Sequence, residues 1–99
     1  MEINEGAFVL GKFAGKKRNS DFHYVGRVID VVRNGEVSIK YFRRDYNVTV
    51  GRYSYFKEPR EEDIYHTNVS DIVKSLPKPL IIKQRLCFDA SEMSGLVVR

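Results

Sequence analysis

The chain has one cysteine, no tryptophan and three prolines among 99 residues. With Cys87 alone, neither an intramolecular disulfide nor a cysteine-only zinc site can form. No apolar run approaches the roughly 18 residues that span a bilayer, and no signal-peptide hydrophobic core follows Met1. We therefore expect a protein of a reducing intracellular compartment that has no membrane among its partners.

Motifs of catalysis are also scarce. The two histidines, His23 and His66, are isolated, and neither has a neighbouring acid or cysteine at metal-ligand spacing. The sequence contains no glycine-rich phosphate loop and no nucleophile elbow. Cys87 lies between Leu86 and Phe88 and fits a small strand residue better than a nucleophile. We therefore expect a non-catalytic protein without a metal site or cofactor.

What the chain does contain is the composition of one small folded domain. Hydrophobic residues make up 42% of the chain and charged residues 30%, which is typical of a globular protein and not of a disordered one. The net charge is +4 and the isoelectric point is near 9.3. This mild positive excess is compatible with nucleic acid or acidic partners but identifies neither.

The clearest structural signal is a long antiparallel hairpin over residues 22–42. Asn34 and Gly35 lie between two apolar, β-branched runs, and both tolerate the positive φ that a type I′ turn requires. The second arm alternates apolar and polar side chains with a period of two. In the first arm the alternation is imperfect, and Gly26 is the expected bending point.

Shorter patterned segments flank this hairpin. In the first of them Phe8 and Leu10 face one side of a strand and Val9 faces the other. A short helical turn is also predicted. It begins at Ser70, which can cap a helix, and ends before Pro77, which cannot continue one. The predicted segments are strands over residues 6–13, 48–56 and 80–88 and one short helical turn over residues 70–76.

Short strands, tight turns and the absence of βαβ spacing predict an all-β fold. We expect a small, strongly bent antiparallel barrel of the SH3-like kind, with about five strands over residues 6–76 and the helical turn near residues 70–76. Curling a sheet in this way reduces the exposed edges of a short chain. Residues 77–99 would form a C-terminal extension, with one additional strand and a flexible end.

Three of these segments resemble a Tudor domain, one of the SH3-like chromatin-reader barrels. In that family a valine-rich first strand ends in an aromatic residue, the second strand carries a Y-x-G/A-x-V pattern, and the third ends in an aromatic residue before an acidic turn. The matching segments are residues 8–13, 22–28 and 37–41, and the likeness covers roughly residues 6–76. It implies a reader module of a nuclear, chromatin- or RNA-associated protein whose ligand is a histone tail or another peptide.

The resemblance also implies an aromatic box at one end of the barrel. Carried over by position, its walls are Phe13, Tyr24 and Tyr41, with Phe22 as a neighbour. Such rings attract a methylated ammonium group through cation–π interactions. The alternative is that these rings belong to the core, because a small barrel needs large side chains to fill it.

The acidic residue that the family places after its third strand is missing here. Arg43 and Arg44 stand in its place, and Asp45 is the acid that would have to replace it. A fixed cation at this position repels a cationic ligand. The departure therefore weakens the prediction of methyl-lysine or methyl-arginine binding.

The same departure favours nucleic acid as an alternative ligand. Five cations predict one basic rim: Lys16, Lys17 and Arg18 in the first loop, and Arg43 and Arg44 after the third strand. Basic side chains interleaved with aromatic rings suit a DNA or RNA backbone with a stacked base. A solvated rim that only keeps the domain soluble would have the same composition.

A third hypothesis needs neither site. Small barrels often act as protein-interaction modules, and residues 80–88 lie beyond the expected end of the barrel. This segment could extend a sheet edge or pair with a second copy of the chain. Exposure of Leu80, Ile81 and Ile82 would favour such self-association, and burial would make them core residues.

Overall fold

A computed structural model describes residues 3–14, 21–31, 35–47 and 51–99. The strands are β1 (Phe8–Phe13), β2 (Phe22–Val31), β3 (Glu36–Tyr41), β4 (Arg43–Arg44), β5 (Tyr53–Lys57), β6 (Ile64–Asn68), β7 (Ile72–Leu76), β8 (Leu80–Ile82) and β9 (Arg85–Asp89). Two short 3₁₀ helices cover Val69–Asp71 and Ala90–Met93. No helix in the described ranges is long and apolar enough to cross a membrane.

The strands form two antiparallel sheets. Sheet 1 has the order β6-β3-β2-β1-β7 and sheet 2 the order β4-β5-β9-β8. Every hydrogen-bonded pair of neighbouring strands in them is antiparallel. The all-β, antiparallel prediction is thus confirmed, although the described strands do not close into a single barrel. The described part of residues 6–76 contains seven strands and not about five, and two of them, β4 and β5, belong to sheet 2.

The central hairpin is present as predicted, with β2 and β3 paired in antiparallel register. Of its turn the structure describes Gly35, whose φ of +77° is the left-handed conformation that a type I′ turn requires. Residues 32–34 lie outside the described ranges. The register between β2 and β3 shifts between Val28 and Asp30, whereas Gly26 is paired in register with Tyr41.

The helical turn predicted over residues 70–76 is wrong. Only Val69–Asp71 is helical, and the side chain of Asn68 caps it by accepting from the backbone N–H of Ser70. Ile72–Leu76 form strand β7 and pair with β1. This pairing satisfies backbone hydrogen-bonding groups of the segment, and the side chains at both ends of the strand are buried. Together these contributions exceed the weak helix propensity of the local sequence.

The C-terminal extension contributes two strands, not the one predicted over residues 80–88. Strands β8 and β9 form a hairpin whose turn residues, Lys83 and Gln84, both have positive φ, 48° and 65°. Neither is glycine or asparagine, so the sequence gives no hairpin signal here. Strand β9 continues sheet 2 by pairing with β5. The end predicted to be flexible packs against β2, with Val98 buried and bridged to His23.

Sheet 1 buries side chains on both of its faces. On one face Leu10 and Val25 join Phe56 of sheet 2 in the core between the sheets. The alternation predicted for the first strand is confirmed, because Val9 lies in a different cluster from Leu10. The second cluster lies on the other face of sheet 1, where Ile3 and Ala7 of the N-terminal segment also pack against it. Its buried members are Val9, Val28, Val37, Ile39, Tyr41 and Ile72.

Candidate functional site: an aromatic pocket

Aromatic rings from four strands of sheet 1 meet at one end of the face that holds the second cluster. The ring of Phe13, at the end of β1, lies edge-on to Tyr24 and Tyr41, with centroid distances of 5.2 and 5.1 Å. Tyr65 of β6 adds a further ring, 6.1 Å from both Phe13 and Tyr41. Antiparallel pairing produces this meeting, because it places the end of β1 beside the start of β2. The three predicted box aromatics are therefore brought together.

Tyr41 forms the floor of this cluster and not an open wall. Its side chain is 1% exposed, and its hydroxyl forms a 3.0 Å hydrogen bond with the hydroxyl of Thr67. Burial raises the pKa of Tyr41 above its ordinary value. The ring lies directly over two glycines: a Cβ on Gly11 would come within 2.5 Å of the Tyr41 hydroxyl, and one on Gly26 within 2.9 Å of its Cδ1. The glycines are thus needed for close packing.

The rings enclose a pocket of about 240 Å³ that opens to solvent. Tyr65 is half exposed at its mouth. Phe22, the predicted neighbour of the box, also lines the pocket. The guanidinium carbon of Arg99 lies 3.8 Å from the Phe22 ring centroid. The lining residues are Phe13, Phe22, Tyr24, Tyr41, Arg43, Asp63 and Tyr65.

A cation of the chain itself lines this pocket. The guanidinium carbon of Arg43 is 4.8 Å from the ring centroid of Tyr24, within cation–π range. The same guanidinium group forms an ion pair with the carboxylate of Asp63. The backbone N–H of Tyr41 donates to the carbonyl oxygen of Asp63 at 2.8 Å, which holds the acid beside the floor. The pocket therefore combines aromatic faces with a positioned carboxylate.

Asp45, the acid expected to serve the box, lies elsewhere. Its carboxylate is buried and accepts a 2.6 Å hydrogen bond from Nε of Arg85 in sheet 2. This bond from Arg85 lowers the pKa of Asp45 below its ordinary value. Asp63 supplies the acid instead. The acidic run that ends at Asp63 was the available signal, but its spacing from the third strand gave no indication that one member would reach the box.

The predicted basic rim is not assembled among the described residues. Lys16, Lys17 and Arg18 lie outside the described ranges. Arg43 turns into the aromatic pocket, whereas the guanidinium carbon of Arg44 lies 5.0 Å from the Tyr46 ring centroid. Successive residues of a strand point to opposite faces, so these two arginines cannot share one surface.

No three His, Cys, Asp or Glu side chains in the described ranges are grouped so that they could hold a metal ion. No protein-family model matches the chain, and searches of curated proteins and of solved structures return no significant match. The geometry of the pocket is therefore the basis for the functional argument.

Proposed function

We propose that the chain is a non-catalytic binding module that takes a cationic side chain of a peptide into the aromatic pocket. The observation that carries this proposal is the contact of a cation of the chain itself with the groups that line the pocket. The Arg43 guanidinium lies against the Tyr24 ring and pairs with Asp63, as a methylated lysine or arginine of a ligand would. A histone tail or another basic peptide in a nuclear, chromatin- or RNA-associated assembly is the partner class we propose.

The arrangement of sheet 1 supports an SH3-like, Tudor-like architecture. The order β6-β3-β2-β1-β7 leaves β6 and β7 at opposite edges, and the 3₁₀ turn Val69–Asp71 connects these two edges directly. The second cluster joins side chains of β1, β2, β3 and the edge strand β7 on one face of the sheet, an arrangement consistent with a sheet that curls on itself. In this architecture β3 and β6 are the third and fourth strands of the barrel, and β4 and β5 are an insertion between them.

The physical basis of recognition is the combination of ring faces and one desolvated carboxylate. Each favourable contact between a cation and an aromatic face contributes about 0.5–2 kcal/mol, more where water is excluded. Asp63 is 14% exposed, so its charge is screened less than that of an acid on the surface. A ligand cation gains these contacts by replacing those of Arg43. Its net binding free energy is therefore the difference between the contacts that the ligand makes and those that Arg43 loses.

Direct nucleic-acid binding has less support from the described residues. Of the proposed rim, Arg43 is paired with Asp63, and Arg44 contacts Tyr46 and the backbone of Val98. Nearby, Lys40 forms an ion pair with Glu58 at 2.9 Å. Cations already paired with protein groups release fewer counterions on binding phosphate, which lowers the electrostatic gain.

The test is an NMR titration of the ¹⁵N-labelled chain with histone-tail peptides that are unmodified, lysine-trimethylated or arginine-dimethylated. We expect a modified peptide to shift the resonances of Phe13, Tyr24, Asp63 and Tyr65. Tyr24→Ala should weaken binding about tenfold, the value of one lost cation–π contact. Absence of shifts with every peptide, in the wild type and in an Arg43→Ala variant, would contradict the proposal.

A matched control is provided by Tyr53, another tyrosine that faces an arginine. The guanidinium carbon of Arg52 lies 5.8 Å from its ring centroid, but Tyr53 belongs to sheet 2 and does not line the pocket. Tyr53→Ala should leave peptide affinity unchanged. An equal loss with both tyrosine variants would indicate a global effect and not a pocket. A short oligonucleotide, titrated in parallel at two salt concentrations, tests the alternative ligand.

A further inference from the structure

Strand β8 presents exposed apolar side chains at the edge of sheet 2. Leu80, Ile81 and Ile82 are 53%, 72% and 42% exposed. This exposure favours a role in an interaction surface over a role as core residues. Within the described ranges β8 pairs only with β9, so its outer edge has backbone groups without a strand partner. An open, apolar edge strand is a template for pairing with another extended segment.

A cavity of about 530 Å³ lies beside this edge. Its apolar surface comes from Phe42 and Phe56, both buried, and from Leu86 on β9. Ile81 pairs with Leu86 across the hairpin and stands at the rim of the cavity. Phe56, Leu86 and Ile81 thus form one apolar row across β5, β9 and β8, and a strand that pairs with β8 would continue this row beside Ile81.

The charge around this cavity is positive. Lys57, Lys83 and Arg85 line it, together with one acid, Glu58, which already forms an ion pair with Lys40. Arg85 is neutralised by Asp45, the residue after β4. Lys78 and Lys83 flank β8 and have no ion pair with any acid of the described ranges, so they are the cations available to a strand that pairs with β8.

We propose that β8 binds an extended, acidic segment of a partner protein by strand addition. One apolar side chain of the segment packs beside Ile81 at the near end of the cavity. Acidic residues two positions to either side lie on the same face of the added strand, one opposite Lys83 and the other opposite Pro79, the residue after Lys78. Backbone pairing provides affinity, and the apolar side chain with its flanking acids provides specificity.

A second copy of the chain is a poorer occupant of the same edge. Antiparallel pairing of two β8 strands about Ile81 would place Lys83 opposite Pro79 and Lys78 opposite Gln84 at each end. Residues 77–84 contain no acid, so the lysines of the two copies would approach without any opposite charge. Like charges at such cross-strand positions are destabilising.

The proposal can be tested with two blocked heptapeptides on the full chain. The acidic peptide is Thr-Glu-Thr-Ile-Thr-Glu-Thr, and its basic counterpart replaces both glutamates with lysine. In NMR titrations we expect the acidic peptide alone to shift the backbone resonances of Leu80, Ile81 and Ile82, with no shift at Tyr24 in the aromatic pocket. Its affinity should fall as salt is added, because the flanking charges are exposed.

Two variants and one control locate the binding. Ile81→Asn and Lys83→Glu should each weaken the acidic peptide about tenfold, and Lys83→Glu should gain binding of the basic peptide. Val73→Asn is the control, because Val73 is likewise exposed but lies on the edge strand of sheet 1. Dispersion of the amide spectrum checks that each variant is folded.

Three outcomes would overturn the proposal. The first is the absence of any shift at β8 with the acidic peptide at millimolar concentration. The second is equal binding of the acidic and basic peptides. The third is a concentration-dependent dimer in sedimentation experiments that Ile81→Asn abolishes, which would assign this edge to a second copy of the chain.

Discussion

Replacing Arg43 with alanine is the sharpest test of the aromatic pocket, because Arg43 makes the contacts with Tyr24 and Asp63 that are proposed for the ligand. The Arg43 side chain is 40% exposed, so its contacts are partly screened. Its cation–π contact with Tyr24 contributes about 0.5–1 kcal/mol, and its ion pair with Asp63 about 0.2–1 kcal/mol. A ligand must replace about 1–2 kcal/mol of internal contacts. We therefore expect Arg43→Ala to raise affinity for a cationic peptide about five- to thirtyfold.

Isothermal titration calorimetry with a lysine-trimethylated peptide measures this gain. Arg44→Ala is the matched control: it removes the same charge from the neighbouring residue, but Arg44 faces Tyr46 and not the pocket. The control should bind as the wild type does. If Arg43→Ala binds more weakly than the wild type, or if both variants gain equally, Arg43 is not a competitor and the reasoning fails. Chemical denaturation should show that Arg43→Ala also loses about 1 kcal/mol of stability.

Three further predictions concern the support of the pocket and the stability of sheet 2. Gly26→Ala should lower the free energy of unfolding in urea by about 2 kcal/mol or more, because its methyl group would overlap Cγ2 of Ile39 and lie 2.9 Å from Cδ1 of Tyr41, both residues being buried. Tyr41→Phe should lower it by about 1 kcal/mol by leaving the buried Thr67 hydroxyl without its partner, while the ring remains as the pocket floor; unchanged stability would contradict the assignment of that bond. The hydrogen bond from Arg85 lowers the pKa of Asp45 in the folded state. The ionised carboxylate therefore stabilises the fold above its unfolded pKa of about 3.9, and this stabilisation is lost as the pH falls through the lower folded pKa. Urea unfolding between about pH 5 and pH 2 should therefore show a shallower acid loss in Asp45→Asn than in the wild type.

The meeting of the box aromatics could be predicted because it depends on local pairing alone. Asn34 and Gly35 select a hairpin, and the apolar alternation selects its register. With two antiparallel turns in succession, the end of β1, the start of β2 and the end of β3 come together. Phe13, Tyr24 and Tyr41 follow from that rule without knowledge of the remaining chain.

Asp63 and Tyr65 could not be predicted because their position depends on long-range pairing. Between β3 and β6 the chain leaves sheet 1 to form two strands of sheet 2. The register with which β6 returns to β3 is set by packing in three dimensions, and the acidic run offers three candidate carboxylates. Strand β7 could not be predicted for the same reason, because its strand conformation is stabilised by pairing with β1 and not by its own sequence.

The two proposed sites are connected by one short segment, and its rigidity predicts that they act independently. Phe42 lines the cavity beside β8, and the next residue, Arg43, lines the aromatic pocket. The backbone N–H of Phe42 donates to the carbonyl oxygen of Val25 at 2.9 Å, and that of Asp45 donates to the carbonyl oxygen of Tyr55 at 2.8 Å. These bonds fix the segment to both sheets.

Coupling between sites needs an element with two alternative arrangements, and a segment fixed at both ends to buried strands offers only one. We therefore expect saturation with the acidic heptapeptide to change the affinity for a lysine-trimethylated peptide by less than about twofold. Calorimetric titration of one ligand in the presence of the other measures this ratio directly. A larger change, in either direction, would mean that displacement of Arg43 moves the segment and that the pocket and the cavity form one linked surface.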